Sequence, residues 1–151
     1  MGLDMYLTKE TYVKNWDHMV PSERHLITIE HEDGTPGTVK PERISEIVEE
    51  VAYWRKANHI HAWFVDHVQG GKDECRKSHV STEKLRELVE VCKVVINDPS
   101  KGPGLLQTRS GFFFGSTDYD GYYLSACEDT ARMLEPLLNE TGGYFYYRSS
   151  W

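Results

Sequence analysis

Residues 53–64, YWRKANHIHAWF, hold four aromatic rings, two histidines and the adjacent cations Arg55 and Lys56. Read as part of a helix at about 100° per residue, this stretch puts Arg55 between Val51 and Ala62, near the middle of an apolar face, with Asn58 beside it. Trp54 and His61 flank one edge of that face, and His59 and Asp66 the other. A guanidinium does not give up its proton, and burying it without partners is very costly, so something acidic or rich in carbonyls has to meet it. Two arrangements would do so. An internal carboxylate such as Asp4, Asp66 or Asp118 would make a fold-specifying pair. Alternatively, Arg55 and Asn58 line a pocket and a ligand's phosphate or carboxylate completes the set.

Other chemistries are less well served by the spacing. His59 and His61, two apart on a helix, point about 160° from each other, while His59 and Asp66 share a side roughly 10 Å apart, so neither pair can clasp a metal ion. No H-x-x-x-H or H-E-x-x-H spacing occurs, and no metal or cofactor is expected. In GSTDYD, Ser116 and Thr117 stand where a strand is expected to give way to a helix, so their hydroxyls and the backbone N–H groups there suit an anion. Asp118 and Asp120 oppose a phosphate, and helix capping by Thr117 explains the same residues without a ligand. Cys75 and Ser110 lack the surroundings of an activated nucleophile. His59, His61 and His67 could serve as acid or base, as any histidine could. The aromatic surplus says more: most of these rings must be core, yet tyrosines and tryptophans together with Arg55 and Arg148 would make a platform for stacking a base and holding a phosphate.

The elements that must position these groups follow from periodicity. GLDMYL alternates Leu3, Met5 and Leu7 against polar neighbours, a half-buried strand. HLITIEHEDG is expected as a second strand, and GFFFG as a third with Phe112 and Phe114 facing one way. From Pro41 to about Val68 the apolar spacing predicts one long helix, buried on two sides in its second half. Ser81 or Thr82 caps another, with Leu85, Leu88, Val89, Cys92, Val95 and Ile96 in one stripe. Tyr123, Leu124, Cys127, Ala131 and Leu134 form a third, ended or kinked by Pro136. GGYFYYRSSW closes as a strand, with Tyr144, Tyr146 and Arg148 on one face and Phe145, Tyr147 and Ser149 on the other. The sum is an α+β fold: one domain, a largely antiparallel sheet of about four strands with three helices packed on it.

A chain of 151 residues can bury roughly 68–70% of its unfolded surface, enough for one core. The 24 acidic residues outnumber 17 basic ones, for a formal charge of −7, and no basic stripe tracks a duplex, so general nucleic-acid binding is not expected. No stretch approaches a membrane span or a signal peptide, and the chain reads as soluble and intracellular. Cys75, Cys92 and Cys127 show no C-x-x-C spacing and read as reduced thiols, two of them on apolar faces.

Four blocks in order along the whole chain, MGLDMYL, YWRKANHIHAWF, SGFFFGSTDYDGYY and YYRSSW, give a sequence that resembles a family of small proteins encoded by tailed bacteriophages and prophages. Members more often carry proline at the position of Gln107. The family has no established activity, so no catalytic residues transfer from it. The resemblance implies a phage accessory protein acting in the cytoplasm of an infected bacterial host. Together with the residues above, it leads to the expectation of a non-enzymatic protein that binds a small phosphorylated or nucleotide-like ligand, such as a bacterial immune signal, through Trp54, Arg55, Asn58, His61, Ser116, Thr117 and Arg148. Two alternatives stand beside it: an inhibitor or adaptor docking a host protein through its acidic surface, and a hydrolase of a nucleotide-like substrate using His59 or His61. Terminal strands at sheet edges would suit a homo-oligomer.

Overall fold

The computed structural model describes residues 2–151. Strand β1 (Asp4–Tyr12) carries Met5, Leu7 and Lys9 inward and leaves Asp4, Tyr6, Thr8 and Glu10 on the other face, as the period of the first residues predicts. Its partners are β2 (Glu46–Arg55) and β4 (Tyr144–Ser150), and β4 also pairs with the short β3 (Ser78–Val80). The result is an antiparallel sheet in the order β2-β1-β4-β3. The two terminal strands therefore lie side by side at the centre, and the edges are β2 and β3. The expectation of terminal edge strands, and the oligomer argument built on it, does not hold.

Four α-helices complete the fold: α1 (Asn58–Val68), α2 (Thr82–Asn97), the single turn α3 (Gly102–Leu105) and α4 (Gly121–Leu134). They cover the sheet's inner face, where Leu3, Met5, Leu7, Trp54, Phe145 and Tyr147 meet Phe64 of α1, Leu85 and Leu88 of α2 and Leu134 of α4 in one core. Phe64 stacks on Tyr147 at 4.0 Å between ring centroids, which locks α1 to the central strand. Ser81 caps α2 by accepting from the Lys84 N–H at 3.2 Å. The stripe expected on α2 is buried from Leu85 to Val95. Asp120, not Thr117, caps α4, accepting from the Tyr123 N–H at 3.1 Å. The helix hands over to a 3₁₀ turn, Glu135–Asn139, at Pro136. Among the described residues no helix is long and apolar enough to cross a membrane.

Three further expectations fail. The long helix over residues 41–68 is instead a 3₁₀ turn (Pro41–Arg43), the ten-residue strand β2, and α1. Ile47, Val48, Val51, Tyr53 and Trp54 are β-branched or aromatic, types that fit a pleated surface better than a helix, and β1 supplies the ladder. A bulge at Val51, opposite the step from Leu7 to Thr8, lets Ala52 and Trp54 face inward. Second, HLITIEHEDG makes no strand; Glu30 only bridges Pro36, and Leu26 is 97% exposed. Alternation alone does not make a strand where no neighbour offers its edge. Third, GFFFG is a turn. Phe112 stands 94% exposed while Phe114 packs inward on His61 and Trp151. A side chain at Gly111 would come within 2.6 Å of the Phe114 ring, so glycine there is what lets the turn close.

Candidate functional site

Between the end of β2 and α1, Lys56 adopts a left-handed conformation (φ 55°), and its N–H donates to the Leu3 carbonyl at 2.8 Å. This single residue turns the chain from the sheet onto the start of α1. It leaves Arg55 and Lys56 at the rim of a cleft whose floor is Asn58 and His59 and whose far wall is α4. The cleft encloses about 420 Å³, within the range of small-ligand sites.

Asn58 organises the near wall. Only 1% exposed, it donates through Nδ2 to the carbonyls of Phe114 (3.0 Å) and Ser116 (2.8 Å), and its Oδ1 accepts from the Arg109 N–H at 2.9 Å. One side chain thereby pins both limbs of the 107–118 loop to the first turn of α1. Ser116 Oγ accepts from the Asp118 N–H, and Thr108 Oγ1 donates to the Thr117 carbonyl at 2.9 Å. On the opposite wall Tyr123 donates its hydroxyl to the Leu106 carbonyl at 2.7 Å, and burial pushes that phenol up. Its ring lies 4.1 Å from His59. Asp118, Asp120, Tyr122 and Asp129 complete the α4 side.

The cleft carries both signs of charge. Arg55 and Lys56 line it together with Asp118, Asp120 and Asp129, and Asp129 also shares a smaller hollow with Arg55. Arg55 is not in the core: its side chain is 52% exposed, and Nη1 meets Asp4 Oδ1 at 3.2 Å. Tyr53 donates to the same oxygen at 2.5 Å. Hydrogen bonding with Tyr53 and then the Asp4 charge hold the guanidinium above its ordinary range, and Asp4 in turn raises the Tyr53 phenol. The wheel that buried Arg55 assumed helix where the chain is strand, and at the end of β2 the side chain faces water.

The remaining residues singled out in the sequence divide accordingly. Arg55, Asn58 and Ser116 come together at the cleft. Trp54 is turned inward, where Nε1 donates to Thr130 Oγ1 at 2.8 Å. Thr117 contributes only its carbonyl, to Thr108. Arg148 lies on the outer sheet face, 4.8 Å from the centre of the Tyr6 ring. His61 is wholly buried between Tyr147 (2.6 Å from Nδ1) and Asp73 (2.9 Å from Nε2). A carboxylate only accepts, so Nε2 carries the proton and Nδ1 accepts from the Tyr147 hydroxyl. Burial lowers the His61 pKa, with Asp73 pulling the other way. Asp73 also accepts from Trp151 Nε1 at 3.1 Å, tying the C-terminal residue to the same cluster.

Nothing in the sequence marked Lys56, Thr108 and Asp129 as cleft residues; it offered Tyr122 and Tyr123 only among the rings of a general stacking platform, and His59 only for the hydrolase alternative. The juxtaposition depends on the fold of the 107–118 loop, which no local period announces. Behind His59, the thiols of Cys92 and Cys127 form a buried pair on α2 and α4. Cys127 is the more acidic of the two, first because the Cys92 thiol donates to it and then because His59 lies beside it. Among the described residues no group of three or more His, Cys, Asp or Glu side chains is placed to hold a metal ion. Comparisons with protein-family models, curated proteins and solved structures find no match to this chain.

Proposed function

We propose that this chain is a non-enzymatic binding protein that holds a small phosphorylated or nucleotide-like ligand in the cleft between Arg55–Lys56 and α4. The observation that carries this reading is the mixed lining of the cleft, two cations and three carboxylates with Tyr122 and Tyr123. The two cations suit a phosphate. The carboxylates and the tyrosine rings suit the amino and imino donors and the flat face of a base. A phosphate alone would be repelled by Asp118, Asp120 and Asp129, whereas a ligand that carries both an anionic group and a donor-bearing ring can meet both signs of charge. In the setting that the sequence resemblance implies, a phage accessory protein in the cytoplasm of an infected bacterium, such a protein would sequester a host signal.

Titration calorimetry of the folded chain against a panel of linear and cyclic nucleotides tests the proposal. Binding that Arg55→Ala weakens at least tenfold, with the melting temperature little changed, supports it, because a solvent-screened ion pair contributes little to stability. Silence across the panel from a folded protein refutes it. Mass spectrometry of the ligand released by heat separates capture from hydrolysis: a captured ligand is recovered intact, while turnover would point to His59, the histidine that lines the cleft.

One observation favours the second reading, docking to a host protein. The excursion between β1 and β2 and the first half of β2 expose Trp16, Val20, Leu26, Val39 and Val48, each at least 45% accessible, in a region that buries little against the body. A stoichiometric partner from host lysate whose capture survives Arg55→Ala but not Leu26→Asp would favour that reading over the cleft.

A further inference from the structure

A second hollow of about 270 Å³ adjoins the cleft, and the two share His59 and Thr108 in their linings. Its wall carries Arg109, held bidentate to Asp66 through one nitrogen only: Nη2 lies 3.0 and 2.8 Å from the two carboxylate oxygens. Among the described residues Nη1 and Nε of Arg109 make no hydrogen bond to the protein, which leaves a guanidinium with donors to spare. Arg55 in the first cleft meets Asp4 through Nη1 and lies against the Tyr53 hydroxyl, and half of its side chain remains exposed. Both lobes are also organised by one buried amide, since Asn58 fixes the Ser116 side of the first and, through the Arg109 N–H, the start of the second. One guanidinium with donors to spare thus lines each lobe, Arg55 the first and Arg109 the second, and the two lobes meet at His59 and Thr108.

We infer that the ligand spans both lobes and carries two separated anionic groups, one at Arg55 and Lys56 and the other at Arg109, which makes it a molecule of the dinucleotide class rather than a mononucleotide. This rests on the reading of the first cleft as a nucleotide-binding site. A mononucleotide fills only the first lobe and leaves Arg109 facing water. A dinucleotide gains a second charge-assisted contact without a second loss of translational freedom, as two linked binding groups do.

The test is calorimetry of the full chain with 5′-AMP and 5′-GMP against the linear dinucleotides pApA and pGpG. The expected result is at least tenfold tighter binding of a dinucleotide than of its mononucleotide. Arg109→Ala, which removes a half-exposed side chain, and Leu105→Trp, which fills the second hollow from its half-exposed rim, should each abolish that advantage and leave mononucleotide affinity as it was. Arg55→Ala should weaken both. Equal affinity for the two ligand sizes, or a dinucleotide advantage that survives both second-lobe variants, would overturn the two-lobe inference while the first cleft stands. No binding of any of the four probes by the folded protein would remove the first cleft as a nucleotide site as well.

Discussion

Removing the Asn58 side chain should cost the protein both stability and the cleft. Asn58→Ala deletes three hydrogen bonds at 2.8, 2.9 and 3.0 Å and leaves two carbonyls and one N–H of the 107–118 loop without that partner in a buried setting. At about 0.5–1.5 kcal/mol net per bond, and with partial relief as water enters from the adjoining clefts, the loss comes to about 2–4 kcal/mol. For a domain of this length that corresponds to a fall in melting temperature of roughly 5–15 °C. Urea unfolding read by tryptophan fluorescence measures it as a lower midpoint with an unchanged slope. Native-state hydrogen exchange localises it: the Arg109 amide should lose protection far more than the amides of β1. Asn58→Asp should do no better, since it keeps an acceptor for the Arg109 N–H but turns a carboxylate toward the carbonyls of Phe114 and Ser116. A change below about 0.5 kcal/mol in Asn58→Ala, with Arg109 protection retained, would refute the view that this amide holds the loop.

Other perturbations read other parts of the structure. Gly111→Ala should destabilise by about 1–3 kcal/mol, because its methyl would sit within 2.6 Å of the Phe114 ring; thermal unfolding of the variant checks it, and an unchanged midpoint would mean the turn relaxes freely. His61 has a folded pKa below its ordinary 6.5, so the unfolded chain binds the proton more readily. Its contribution is whole above pH 6.5 and is lost as the pH falls from there through the folded value, with a slope of at most about 1.4 kcal/mol per pH unit. His61→Gln should flatten the stability profile in that window, and a parallel profile would show that titration elsewhere dominates. Of the three thiols, Cys75 is exposed while Cys92 and Cys127 are buried; an aromatic disulfide reagent should label Cys75 rapidly in the native state and the other two only on unfolding.

Where burial period and capping chemistry agree, the chain was legible. The inward set of β1, the alternation of β4, the Ser81 cap with the α2 stripe, and the break at Pro136 all depend on neighbours within a few residues. So does the class of fold, since strands and helices of these kinds have few ways to bury their apolar sides together. Residues 46–55 defeated the same reasoning because Ile47, Val48 and Val51 fit both a helical stripe and a strand. What chose between them was β1, which precedes β2 by more than thirty residues in sequence and lies beside it in the sheet.

The candidate site divides along the same line. The sequence by itself singled out Arg55, Asn58 and Ser116 as polar residues needing partners, and named Asp4 among the carboxylates suited to Arg55. Only the tertiary structure decided that Arg55 ends a strand and faces water, that Asn58 spends its hydrogen bonds on a loop about fifty residues away, and that His61 is sealed behind Tyr147. The physical reason is that a side chain's need for a partner is a property of its own chemistry, written at one position. Which partner satisfies it depends on loop closure and strand pairing, and these are settled by the free energy of the whole chain.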